Sequence, residues 1–215
     1  MGASNTLLKS VLIVLVLGAS SLFCLVIYSF FFKPLQTFLI TSSPDKTYTV
    51  SLRGQKTQPI FFTAEVRYDV SKNGAPMLSN KFLYSADGLD FPFEYRYPNY
   101  RWLNEQTIQF YHEENLRERP PDSVIVVNNT GKTIKLVRIE SNEIVLFFEL
   151  EPGFKTSIPS SQSKGDSKWL FVSGEFTDGT SVMEFSADFD LKGRNEPRTF
   201  SVDLRADKTT VEMLN

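Results

Sequence analysis

Apolar and polar positions alternate along most of this chain, but not at its start. From Val11 to Phe32, VLIVLVLGASSLFCLVIYSFFF, 22 residues pass without a charge, closed by Lys9 on one side and Lys33-Pro34 on the other. At about 1.5 Å per residue such a helix rises about 33 Å, enough to cross a hydrocarbon core of about 30 Å. The pattern predicts a transmembrane helix over residues 11–32. A cleavable signal peptide would carry about 7–15 apolar residues ending in small ones. Gly18-Ala19-Ser20-Ser21 offers such an end, but Leu22 to Phe32 continue apolar beyond it, which favours an uncleaved anchor.

After this run the hydrophobic period changes to two. Residues 33–44 read as a juxtamembrane connector in which Phe38, Leu39 and Ile40 either rest at the lipid interface or begin the first strand; Ser43-Pro44-Asp45-Lys46 reads as a turn, and Thr47 to Arg53 as an extended segment rich in β-formers. In Ile60 to Ser71 the side chains of Phe62, Ala64, Val66, Tyr68 and Val70 share one face. Asn73-Gly74 then predicts a hairpin to Met77–Ser85. Residues 45–116 form the expected β-rich domain or first sheet, and the charged, proline-ended 117–122 a solvated connector. Seven short strands separated by strong turn signals fill 123–205, which predicts an immunoglobulin-like β-sandwich without its cysteine pair. Ile144 to Phe148 lacks polar alternation and reads as a central strand. Residues 206–215 read as a flexible tail. The expected fold class is all-β: an N-terminal transmembrane helix followed by antiparallel sandwich material in one or two small domains.

Charge narrows the partners. From Lys33 onward, 22 basic residues face 25 acidic ones, a net of −3. A mildly acidic domain lacks the basic footprint that nucleic acid needs, so no nucleic-acid partner is expected. The one cysteine, Cys24, lies in the apolar run, which leaves the rest of the chain no disulfide framework. Phe23 before it is unlike the small residue that lipid attachment requires. Met1-Gly2-Ala3-Ser4-Asn5-Thr6 fits the myristoylation pattern, but an acyl chain adds little beside an inserted helix. Flanking Lys and Arg residues do not decide the orientation. A first apolar segment followed by one long domain works as a signal anchor, so residues 1–10 are expected in the cytoplasm and the C-terminal domain outside it. Membrane lipid is then the partner of residues 11–32.

Phe91 to Tyr111 holds eight aromatic residues in 21. Phe91, Phe93, Tyr95 and Tyr97 alternate with Pro92, Glu94, Arg96 and Pro98, so the four rings fall on one side of an extended strand. Aromatic side chains at strand spacing are usually core. Pro92 and Pro98, however, mark an edge strand or an irregular extended chain; an edge would leave backbone groups that a partner strand can extend. Tyr95, Tyr97, Tyr100 and Trp102 are the expected contacts to a protein partner.

Catalytic residue types are scarce. His112 is the one histidine and sits in the charged stretch before 123, no Gly-x-Ser-x-Gly elbow occurs, and no Gly-rich phosphate loop is present. Zinc or copper would need more His or Cys ligands. Asp188-x-Asp190-x-x-Gly193 lacks the spaced oxygens of a calcium loop. No catalytic residue, cofactor or metal is therefore expected. Asn128-Asn129-Thr130 is a glycosylation sequon inside a turn that needs no glycan.

Ser43-Pro44-Asp45, followed by Tyr48-Thr49-Val50, resembles the opening of many small bacterial surface or envelope proteins, which usually have Gly where this chain has Lys46 or Thr47. The turns Val126 to Ile134, Leu150-Glu151-Pro152-Gly153 and Thr177-Asp178-Gly179 resemble those of small single-span exported bacterial β-sandwich proteins of unknown function. That resemblance implies a fold and a place, and no activity. The expected role is a membrane-anchored, non-enzymatic binding, scaffold or accessory protein. Two alternatives come from other classes. One is an envelope glycan hydrolase with paired carboxylates; the other is a small subunit of a membrane complex acting through its span, where Gly18 to Ser21 would let helices approach.

Overall fold

A computed structural model of the chain describes residues 3–31, 35–54, 64–86, 99–111, 122–160, 167–191 and 196–214. Among the described residues one helix, α1 (Ala3–Phe31), precedes fourteen strands. Within α1 a continuous run of side chains is described from Ile13 to Val26, and all of them are exposed. Fourteen residues rise only about 21 Å. Among the described residues no helix is long and apolar enough to cross a membrane, so the span expected over 11–32 is not established by the fold.

The strands form three sheets, and the chain is all-β and mostly antiparallel beyond α1. The first has the order β1 (Gln36–Ser42), β2 (Tyr48–Gly54), β3 (Ala64–Lys72), β4 (Ala75–Ala86). Residues expected as a connector thus include strand β1. The β3–β4 hairpin turns on Asn73 and Gly74, with φ of 50° and 80°. Two successive left-handed residues are what a type I′ turn requires, and Asn-Gly adopts them at least cost. By contacts the chain divides into two units. One comprises Met1–Ile40, Ser51–Asp69 and Leu78–Pro92; the other comprises Thr41–Val50, Val70–Met77 and Phe93–Asn215. In the first, Leu52, Val66, Tyr68, Leu78 and Leu83 are buried, and the Asp69 carboxylate accepts from the Asn80 amide at 2.7 Å and from Arg53 Nη2 at 2.9 Å.

The second unit contains a two-sheet sandwich. A four-stranded sheet has the order β10 (Lys155–Ser160), β7 (Asp122–Asn128), β13 (Thr199–Leu204), β14 (Thr209–Met213). A six-stranded sheet has the order β12 (Ser181–Asp190), β11 (Ser167–Phe176), β8 (Ile134–Glu140), β9 (Ile144–Leu150), β6 (Thr107–Tyr111), β5 (Asn99–Asn104). Val124, Val126, Ile158, Phe200 and Val202 from one sheet pack against Val137, Val145, Phe147, Leu170 and Val172 from the other. Gly174 sits at a register shift between β11 and β12. A Cβ there would meet the Leu136 carbonyl oxygen at 2.8 Å, so the position takes no side chain.

Four expectations need correction. The immunoglobulin-like order would put the first two strands of 123–205 in one sheet, but β7 and β8 lie in different sheets. The sheets are not wholly antiparallel, since β13 runs parallel to β7 from Thr199↔Ser123 to Leu204↔Asn128. The stretch 117–122 does not separate two sheets, because β6, which precedes it, pairs with β9 from Thr107↔Phe147 to Phe110↔Ile144. The tail is not frayed. β14 pairs with β13 from Phe200↔Met213 to Leu204↔Thr209, burying Thr209 and Val211.

Candidate partner-binding edge

Among the described residues β5 ends the six-stranded sheet. Its sequence, NYRWLN, alternates, and the pairing fixes which side chains share a face: Tyr100 lies opposite Phe110, Arg101 opposite Gln109, and Trp102 opposite Ile108. Arg101 turns inward, where its Nε donates to Gln109 Oε1 at 2.6 Å and its guanidinium lies 5.5 Å from the Tyr111 ring centre. Leu103 packs on the sandwich core. Tyr100 and Trp102 therefore share the outer face, with Ile108 and Phe110 across the strand.

That outer face is itself largely buried. Ile108, Phe110, Leu146 and Phe148 are each at most 2% exposed although none belongs to the inter-sheet core. This is why β9 reads as a continuous apolar run: both of its faces are covered. Phe148 stacks on Tyr48 with ring centres 5.2 Å apart and meets Trp102 at 6.2 Å. The Trp102 indole nitrogen donates to Thr41 Oγ1 at 3.0 Å. Of the four expected contacts, Trp102 is thus a packing residue with a satisfied polar tip, while Tyr100 is 38% exposed on the edge strand. Tyr95 and Tyr97 lie outside the described residues, as does His112.

A polar clamp beside this seam escaped the sequence reading. The Ser43-Pro44-Asp45 turn builds it: Asp45 accepts from Ser43 Oγ at 2.6 Å and from the Thr47 amide at 3.0 Å, and the Tyr48 amide donates to Ser43 Oγ at 3.0 Å. The Ser43 bond first, then those from the Thr47 hydroxyl and amide, hold the Asp45 carboxyl below its ordinary pKa. The turn's bonds also aim Tyr48, whose hydroxyl donates to Glu149 Oε2 at 2.6 Å. Lys72 Nζ pairs with the same oxygen and lies 5.9 Å from the Tyr48 ring centre. Partial burial opposes ionisation of Glu149, but the Lys72 and Tyr48 hydrogen bonds and the Lys72 charge outweigh it and lower its pKa. Burial first, then the Glu149 bond and charge, raise the Tyr48 pKa. Glu149 has φ of 51°, a strained value for a side-chain-bearing residue. One signal was present: Glu149 is the single charge in the strand IVLFFEL.

A second polar group lies inside the sandwich. Lys168 Nζ donates to Asp122 Oδ2 and to Ser160 Oγ, both at 2.9 Å, and stands 5.1 Å from the Phe200 ring centre. Asp122 also accepts from the Arg198 amide at 2.8 Å. Ser160 and Lys168 have the residue types of a nucleophile and its base. Here the ammonium is matched by Asp122, and all three residues are at most 3% exposed, so no substrate reaches them. Asp122, expected in a solvated connector, is part of the interior. The sequon asparagine is also buried: Asn128 Nδ2 donates to the carbonyls of Lys132, Leu150 and Glu151, leaving no room for a glycan. Among the described residues no group of three or more His, Cys, Asp or Glu stands placed to hold a metal ion.

No family model matches the chain, and no curated protein matches it either. A solved structure that does match is the NMR structure of a protein from Eubacterium rectale. It is 13% identical, with a TM-score of 0.31, and the match covers 45% of this chain and 91% of the other. A likeness at that level carries no weight for fold or function.

Proposed function

We propose that the protein is a membrane-anchored, non-enzymatic binding module that recognises a protein partner along β5. The observation that carries this reading is the position of β5 at the end of the six-stranded sheet among the described residues, with Tyr100 exposed beside the packed Trp102. An edge strand offers unpaired backbone groups that a partner strand extends, and flanking side chains give the selectivity. The Trp102–Phe148–Tyr48 seam and the Glu149 clamp hold the outer face beside that edge rigid. The anchor is supported by the sequence: extending the described helix to the full uncharged run from Val11 to Phe32 gives 22 residues and a rise of about 33 Å. In this reading the N-terminus is cytoplasmic, the β-rich part lies outside, and the module joins the small exported bacterial β-sandwich proteins its turns resemble.

The test is affinity capture after mild crosslinking of the full-length protein in its native membrane. It is run beside a version whose residues 11–32 are replaced by an unrelated helix, and beside a folded Tyr95, Tyr97, Tyr100 and Trp102 quadruple variant. The reading expects one partner retained by the replaced span and lost by the quadruple variant. A partner lost with the native span instead would place the function in the membrane helix.

A further inference from the structure

At the end of the six-stranded sheet opposite β5, the outer face of β11 and β12 carries a second aromatic pair. Trp169 and Phe171, two residues apart on β11, lie with ring planes 11° from parallel and centres 6.1 Å apart. The alternation of β11 turns Lys168, Leu170 and Val172 into the sandwich, so these two rings face out, and Trp169 is 39% exposed. The Trp169 indole nitrogen donates to Ser186 Oγ at 2.9 Å, which fixes the ring against β12. An exposed indole held in one orientation loses little freedom when something stacks on it.

On the β12 side of the pair the described charges are all acidic. On β12, Phe189 faces inward against Phe200, and the alternating residues Glu184, Ser186, Asp188 and Asp190 are exposed. Asp188 lies directly across from Trp169, and Ser186 across from Phe171. The exposed face of β12 thus offers three carboxylates and no basic residue. On the other side, Glu140 stands opposite Phe171, already engaged by Arg138 at 2.5 Å. An aromatic face rimmed by carboxylates attracts cations twice, through the ring quadrupole and through the charge.

We propose that this face is a docking surface for a basic segment of a protein partner, whose Lys or Arg side chains stack on Trp169 and Phe171 and pair with Glu184 and Asp188. It is separate from the β5 edge and does not depend on it.

The experiment follows the anisotropy of a labelled octapeptide of alternating Lys and Gly, titrated at low salt with the full-length protein in neutral detergent. Saturable binding is expected, weakening as salt is added. Trp169→Ala should raise Kd about two- to fivefold, the range of an exposed cation–π contact. The double variant Glu184→Gln, Asp188→Asn keeps both rings and serves if Trp169→Ala folds poorly; it too should raise Kd. In a Trp102→Phe background, where Trp169 is the remaining indole, its emission should change on saturation. Unchanged Kd in both variants, equal binding of a Glu-Gly peptide, or an emission change on raising protein concentration alone would each overturn the proposal, the last by naming a second copy as the occupant.

Discussion

Two lysine–carboxylate pairs in the second unit have the same chemistry and opposite settings. Lys168 and Asp122 are 0% and 3% exposed at the side chain, joined across the two sheets of the sandwich, with Ser160 and the Arg198 amide completing their hydrogen bonds. Lys72 and Glu149 are 41% and 27% exposed, joined at the end of β9 with the Tyr48 hydroxyl as third member. A buried pair contributes little net stability over an apolar replacement, but leaving one partner alone costs a great deal. An open pair is screened by water, contributes little, and loses little when broken. The first pair therefore fixes how the sheets meet. The second ties Tyr48 and Glu149 together beside the candidate edge, at little energetic cost when broken.

Substitutions can sharpen this contrast. Lys168→Met strands the Asp122 charge in the interior and should cost about 3–5 kcal/mol in denaturant unfolding. Adding Asp122→Asn, which keeps an acceptor for the Arg198 amide, should recover most of that loss. If the single change cost under about 1 kcal/mol, the pair would not be the bolt described. Next in size is Asn128→Ala, which removes the side-chain bonds to the Leu150 carbonyl and from the Thr130 amide and should cost about 1–3 kcal/mol.

Glu149→Gln belongs at the small end, about 0.2–1 kcal/mol, near the lower limit because Lys72 is well exposed. Its signature is the pH dependence. With the folded pKa of Glu149 below the ordinary 4.5, the unfolded chain takes up the proton first as pH falls. The stabilisation is thus full above about pH 4.5 and is lost as pH drops through the folded value. Asp45 and Asp178, also lowered, act in the same direction, so Glu149→Gln should flatten the acid limb of Tm against pH without abolishing it. An identical acid limb in the variant would remove Glu149 from the account.

How legible this was depends on what each residue touches. The run Ile144 to Phe148 announced a strand covered on both faces, and Asn73-Gly74 announced its hairpin, because burial and turn geometry act locally. Strand neighbours were not legible: the parallel pairing of β7 with β13 joins residues about 76 apart, as in Thr199↔Ser123, and periodicity says nothing about neighbours. Lys168 was hidden because KWLFV offers two apolar sets, Trp169 with Phe171 and Leu170 with Val172, and packing chose the second for the interior. The edge strand or irregular chain read from Pro92 and Pro98 lies outside the described residues. The packed state of Trp102 was not legible, since Thr41 and Phe148 lie 61 and 46 positions away in the chain.

The central claim is that β5 meets a partner. A photo-reactive amino acid placed at Tyr100 in the full-length protein, in its native cells, tests it against the same group at Glu212, an exposed position on β14. The account predicts that position 100 traps one partner protein and position 212 does not. Equal trapping at both positions, or none at 100 from a folded protein, would contradict it.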